Sequence, residues 1–83
     1  MTHTVVWQHR AMDEFRRLRS LDLVGAKACA AAVRDLAEDP SPRAARALGG
    51  SGYWRLSVGD WRVLYRPDTG TVTVLVLKVG RVG

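Results

Sequence analysis

The stretch Tyr53 to Arg66, YWRLSVGDWRVLYR, leaves this chain little choice of local structure. Trp54, Leu56 and Val58 alternate along its first arm, and Trp61, Val63 and Tyr65 along its second. That period of two predicts a pair of strands, each with one side to bury. Between the arms stands Gly59-Asp60, a two-residue connection with glycine first, where positive φ matches the twist of a hairpin. With that loop, Val58 faces Trp61, Leu56 faces Val63 and Trp54 faces Tyr65. These six form one apolar side of aromatic and branched cross-strand pairs. The same register sets Ser57 opposite Arg62, Arg55 opposite Leu64 and Tyr53 opposite Arg66. No like charges face each other within the hairpin, yet Arg55, Arg62 and Arg66 gather on one surface. The rest of the chain has to cover the apolar side and leave the basic side usable.

Eighty-three residues make one domain, residues 1–83, near the size at which a single core is just sufficient. The lone cysteine, Cys29, excludes an internal disulfide, and nothing calls for an oxidising compartment. Its setting in the alanine-rich run Ala28 to Ala32 points to a small buried hydrophobe rather than a reactive thiol. No N-terminal signal pattern is present, and no apolar run approaches the ~18 residues needed to span a bilayer. The expected location is cytoplasmic, with no membrane partner.

The net charge of +5 is unevenly placed. Residues 1–39 balance six Lys or Arg against six Asp or Glu, whereas the remainder holds seven basic residues against only Asp60 and Asp68. A basic half interleaved with aromatics suggests an anionic partner, nucleic acid first and an acidic protein second. The alternative is a well-solvated arginine surface with no partner.

Along the chain, Thr4 to Trp7 reads as a short apolar strand. A helix follows from Gln8 or His9, with Ala11, Phe15 and Leu18 on its inner side and Arg10, Asp13, Glu14, Arg16, Arg17 and Arg19 on a solvated back. Ser20 to Asp22 breaks it, and Asp22 is placed to cap a second helix. There Leu23, Ala26, Ala30, Val33 and Ala37 line one side, with Leu36 beside them. Gly25 costs about 1 kcal/mol relative to alanine inside a helix, so fraying is expected in the first turn. Glu38 to Pro42 ends this helix. Arg43 to Gly52 reads as a connector, with a helical turn over Ala44 to Leu48 and a flexible Gly49 to Gly52. Pro67 to Gly70 is a turn by composition. Thr71 to Val79, apolar on both sides, belongs inside the sheet, since left at an edge it would be a sticky one. The predicted fold is α+β, β-α-α-β-β-β, with a two-helix hairpin packed on a twisted antiparallel sheet. The Trp54/Trp61 side should meet Phe15, Leu18, Val33 and Leu36.

The chemistry available is narrow. His3 and His9 have no ligand-spaced companions, so neither a metal nor any other cofactor is expected. No serine has a supporting histidine and acid. Asp60 and Asp68 belong to turns. The arginines remain. Guanidinium groups grip phosphates with two hydrogen bonds and stabilise the extra negative charge of a phosphoryl-transfer transition state. A cluster of Arg55, Arg62 and Arg81 is suited to an RNA backbone and to attack of a ribose 2′-hydroxyl on the adjacent phosphate. Tyr53 or Trp61 near the rim is suited to base stacking. Arginine is a poor general base because its pKa stays above about 12, which leaves only Lys78 and Tyr53 for the proton. Binding follows from these residues more directly than catalysis does.

Gly52 to Tyr65, GYWRLSVGDWRVLY, resembles the G-x-x-R-x-R-x-G-D-Y-R-x-x-Y stretch of the RelE/ParE superfamily, the toxins of bacterial type II toxin–antitoxin modules. The likeness runs upstream through the Val5-Val6-Trp7 strand, the arginine-rich first helix, the Leu36 to Pro40 ending and Ala47-Leu48-Gly49-Gly50. Downstream it reaches Val76 to Gly80, V-x-x-V-G. The resemblance implies two helices on a twisted antiparallel sheet and a cognate antitoxin that wraps the toxin in a hetero-oligomer. In the RelE branch it implies metal-independent cleavage of messenger RNA on the ribosome. Carried over residue by residue, Arg55 and Arg62 match basic positions on the second and third strands, and Arg81 falls in the first position past Gly80; these three are the expected catalytic residues. RNA contacts fall to Tyr53, Ser57, Trp61, Arg66 and Lys78. Ser57 stands where many members have a second basic residue. Beyond Gly80, Val82 occupies the family's arginine position and the sequence stops at Gly83, without the tyrosine that usually follows. That departure weighs against cleavage more than against binding of RNA or ribosome. Three functions therefore stand as expectations. The first is a ribosome-dependent endoribonuclease that inhibits translation and arrests growth. The second is a DNA gyrase inhibitor of the ParE kind, and the third a shortened toxin that binds antitoxin without activity.

Overall fold

The computed structural model describes residues 2–79. In chain order it contains β1 (Thr4–Trp7), α1 (His9–Leu21), α2 (Leu23–Asp35), β2 (Ala45–Ala47), β3 (Trp54–Val58), β4 (Trp61–Asp68) and β5 (Thr71–Val79). One five-stranded sheet runs β1-β5-β4-β3-β2, antiparallel except for the β1–β5 pair. The central hairpin follows the predicted register: Val58 pairs with Trp61, Leu56 with Val63 and Trp54 with Tyr65. Gly59 takes φ +56°, the left-handed value its place at the head of the turn requires. The strand over 71–79 lies inside the sheet, flanked by β1 and β4.

Three features depart from the expected order. Residues 45–47 form a fifth strand instead of a helical turn, pairing Ala45 with Leu56, Arg46 with Arg55 and Ala47 with Trp54. Alanine and arginine carry no strand pattern, and the pairing is supplied by the otherwise open edge of β3. Its ends are fastened by Ser57 N–H to Ala44 O at 3.0 Å and Leu48 N–H to Tyr53 O at 2.9 Å. Next, β1 runs parallel to β5, which the path through two helices and three further strands permits. Finally, α2 stops at Asp35, before the prolines, and continues as tighter turns with Leu36 N–H bonded to Val33 O and Ala37 N–H to Arg34 O.

The core lies between the helices and one side of the sheet. Trp61, Val63, Tyr65 and Leu56 meet Leu18, Ala26, Cys29, Val33 and Leu36, with Phe15 and Trp54 packed against them. Phe15 stands edge-on to Trp7 at 5.3 Å between ring centres. Along β5 the register slips at Leu64/Tyr65, so that Leu64 pairs with Val76 but Tyr65 with Val74. This bulge lets Val74 and Leu77, three residues apart, both face the core, while Leu75 and Val76 turn outward. It is how a strand apolar on both sides is accommodated. Gly25 does not mark a frayed turn: Asp22 caps α2 through Gly25 N–H at 2.9 Å, and the missing side chain makes room for Trp61. Burial pushes the Cys29 thiol up to about 11, consistent with a packing role. No helix of the described residues is long and apolar enough to cross a membrane.

Tyr65 ties the segment after α2 to the sheet, its hydroxyl donating to Pro40 O at 2.6 Å. Burial and the nearby Asp39 charge push its phenol up to about 12 from 10.0. The folded state therefore favours the neutral phenol. Its contribution is complete below pH 10 and is lost as the pH rises through about 12. Tyr65→Phe removes the hydrogen bond and should cost about 1 kcal/mol at neutral pH. It should also flatten the alkaline fall of the urea midpoint, measured from pH 9 to 12 on both proteins.

Candidate functional site

Because both helices pack on one side of the sheet, alternation sends Arg55, Ser57, Arg62, Leu64 and Arg66 to the other side, which no element of the described chain covers. Sheet pairing concentrates charge there. Arg62 lies directly opposite Lys78, and Arg46 directly opposite Arg55. Like charges facing each other across strands are destabilising. The hairpin alone shows no such pairs; they arise when β2 and β5 join it. Among the described residues no carboxylate forms an ion pair with Arg46, Arg55, Arg62 or Lys78.

These residues enclose a concavity of about 330 Å³ lined by Arg10, Arg55, Arg62, Leu64, Val76 and Lys78. Four cations stand over an apolar floor of leucine and valine. Arg62 is held against the hairpin turn, its Nη1 donating to Gly59 O at 2.8 Å and to Trp61 O at 2.9 Å. With Nη1 occupied, the Nε and Nη2 edge remains for a ligand, in the geometry that grips two oxygens of one phosphate. Arg10 was expected on the solvated back of α1, but the first helical turn brings it to the rim. Glu14 steadies it at 3.7 Å and accepts a weak hydrogen bond from Leu77 N–H at 3.4 Å, linking α1 to β5. The i,i+4 spacing of Arg10 and Glu14 was legible; the direction in which that pair points was not.

The structure distributes the remaining expected site residues unevenly. Lys78 joins the cationic concavity. Tyr53 and Arg66 lie farther along the same side, with the guanidinium carbon 5.8 Å from the tyrosine ring centre. Ser57, though opposite Arg62, borders a different hollow beside α2, where Asp35 and Asp39 supply the opposite charge. Trp61 is not at the rim. It is 1% exposed, packed against Phe15, and its indole N–H donates to Asp22 Oδ2 at 3.0 Å. The hairpin pattern already assigned it to the apolar side, and burial removes it from base stacking. Arg81 lies outside the described residues. Among the described residues, no three His, Cys, Asp or Glu side chains come together as a metal site would need.

The Asp22–Trp61 bond spans thirty-nine residues and fastens the helix corner to the root of the hairpin that carries Arg62. The indole N–H and then the Gly25 N–H hold the Asp22 carboxyl below its usual range. That stabilisation is present above the ordinary carboxylate pKa of 3.8 and is lost as the pH falls through the depressed value. Asp22→Ala deletes the helix cap and the indole acceptor together. Its urea midpoint should fall further than that of Tyr65→Phe, with a spectral change in tryptophan fluorescence.

The sequence model of the family described as ParE toxin of type II toxin-antitoxin system, parDE, matches residues 5–82. No curated protein matches significantly in sequence. Among solved structures, the archaeal RelE-RelB complex from Pyrococcus horikoshii is similar at TM-score 0.81 and 24% identity, covering 100% of both chains. The toxin-antitoxin complex RelBE2 from Mycobacterium tuberculosis is similar at TM-score 0.75 and 26% identity, covering 95% of this chain and 99% of that one. The chromosomal ParDE TA system from P. aeruginosa is similar at TM-score 0.75 and 13% identity, covering 96% and 98%.

Proposed function

The chain belongs to the ParE toxin family of type II toxin–antitoxin systems, and on that premise we propose that it is a toxin that binds messenger RNA on the ribosome and cleaves it. The observation that carries this reading is the cationic concavity, with Arg62 held through Nη1 against the hairpin turn. A surface that accumulates opposed like charges at some expense of stability is suited to a polyanion. In cleavage, the 2′-hydroxyl gives its proton to solvent as O2′ bonds to the adjacent phosphorus, the P–O5′ bond breaks, and O5′ takes a proton from solvent, leaving a 2′,3′-cyclic phosphate and a free 5′-hydroxyl. Arg55 and Arg62 stabilise the doubly charged phosphorane between those states, and Lys78 and Arg10 hold the flanking phosphates. Arg81, outside the described residues, would add a further phosphate contact. No carboxylate or histidine lines the concavity among the described residues, so the protein's contribution is electrostatic and positional.

The partner that silences it is a cognate antitoxin. An acidic segment laid over Arg55 and Arg62 would neutralise the like-charge pairs and close the concavity. The similar proteins from Pyrococcus horikoshii and Mycobacterium tuberculosis are found in toxin-antitoxin complexes, which supports an antitoxin as the partner. A second reading, gyrase inhibition, is favoured by the ParE description of the matched family.

Inducible expression in a bacterial host, wild type beside Arg55→Ala, separates these readings. The expected result is growth arrest with messenger ends mapped in codon phase, both lost in Arg55→Ala. Arrest with intact messenger and inhibited supercoiling would favour gyrase. Normal growth at full soluble expression would leave an antitoxin-binding fold without toxicity.

A further inference from the structure

On the open side of the sheet a second concavity, of about 300 Å³, is lined by Gln8, Tyr53, Arg66, Asp68, Thr73 and Leu75. We propose that it is a nucleobase subsite that accepts a base bearing an exocyclic amine and disfavours uracil, a proposal that rests on the RNA reading above. Three observations carry it. The first is position: Arg66 lies two residues beyond Leu64 on β4, roughly 7 Å from the floor of the cationic concavity. A nucleotide whose phosphate sits against Arg55 and Arg62 can place a base there. The second is the platform: the Arg66 guanidinium lies over the Tyr53 ring at 5.8 Å, and bases stack on such aromatic and guanidinium planes.

The third is the chemistry of the rim. Asp68 is the one carboxylate lining either concavity on this side of the described chain. Facing phosphate it would be repulsive; facing a base edge it selects. Its Oδ1 accepts Thr69 N–H at 2.7 Å, which fixes the carboxylate and leaves Oδ2 available. Asp68 has no ion-pair partner among the described residues. A carboxylate only accepts hydrogen bonds, so it attracts the amino groups of cytosine, adenine and guanine and repels the two carbonyls of uracil. Gln8 occupies the cap of α1, yet its side-chain amide makes no capping hydrogen bond. Its backbone N–H is anchored on Val74 O at 2.9 Å, so the amide stands at the concavity with both donor and acceptor free of the helix. The Thr73 hydroxyl completes a polar rim.

The test is an NMR titration of the purified full chain with three RNA tetranucleotides: all-uridine, uridine with one cytidine, and uridine with one abasic ribose. The cytidine-containing RNA should bind about 10-fold tighter than the other two and shift the Tyr53, Arg66 and Thr73 amides. Asp68→Asn retains an oxygen for Thr69 N–H and adds a donor, so it should bring the cytidine-to-uridine ratio close to one while the all-uridine RNA binds no more weakly. Equal binding of all three RNAs, with shifts confined to the Arg55, Arg62 and Lys78 neighbourhood, would overturn the subsite and leave the RNA reading standing. Shifts at neither concavity would also overturn the subsite, while the RNA reading, which concerns messenger on the ribosome, is decided separately by the map of messenger ends. An unchanged preference in Asp68→Asn, with a native amide spectrum, would overturn the assignment of Asp68.

Discussion

Arg62→Ala is expected to abolish growth arrest while leaving a folded protein. Arg62 lines the cationic concavity and is held through Nη1 by two carbonyls of its own hairpin turn. Such preorganised donors act on the transition state without reorganising, and losing one typically costs about 10²–10³-fold in rate. The fold should not suffer in proportion. Arg62 is not in the core, and its removal relieves the repulsion from Lys78 across β4 and β5, worth a few tenths of a kcal/mol to about 1 kcal/mol. Arg62→Lys sharpens the test, because it keeps the charge but loses the planar fork, and should retain only part of the activity. The measurements are growth after induction, messenger cleavage rate and urea midpoint at matched soluble protein. Undiminished toxicity in Arg62→Ala would remove this side of the sheet from the mechanism.

Gly25→Ala should lower stability by about 2–3 kcal/mol, the opposite of what helix propensity predicts. In an isolated helix the change would gain about 1 kcal/mol. Here a Cβ at position 25 would run into Asp22 Oδ2 and the Trp61 indole nitrogen, with the Asp22 carboxyl carbon 2.7 Å away. Overpacking of that kind costs typically 1–3 kcal/mol. The relief available is to push Asp22 and Trp61 apart, which breaks the bond between the helix corner and the hairpin root. Against a total stability of about 5–15 kcal/mol the loss is large. Urea denaturation of the two proteins decides the sign. A stabilised Gly25→Ala would mean that the helix corner yields freely and that the Asp22–Trp61 contact fastens nothing.

The contrast between these residues indicates which parts of the molecule were legible. Arg55 and Arg62 could be placed on one side of a hairpin from alternation and a two-residue turn, and the pairing of Ser57 with Arg62 and Arg55 with Leu64 is as expected. The family pattern pointed to the same positions. Arg10 and Gln8 could not be placed. Each belongs to the junction of β1 and α1, and each reaches the open side only because β1 docks parallel on β5 beside the hairpin. Trp61 was legible as a core residue through its place in the alternation, whereas a role in stacking required a rim position that the same pattern denied it. Its partner Asp22 carried only the signal of a helix cap.

The sequence by itself determined the elements whose signal is local: the central hairpin and its register, the two helices with their apolar sides, and the excess of positive charge in the second half. Each depends on side-chain periodicity or turn geometry over a few residues, where neighbours along the chain are neighbours in space. Only the tertiary structure decided the fifth strand at Ala45–Ala47, the parallel docking of β1 and the bulge that resolves the two-sided β5. The same holds for the opposition of Arg62 to Lys78 and Arg46 to Arg55. These depend on hydrogen bonding and packing between segments far apart in sequence. The site is therefore half written in one hairpin and half assembled around it.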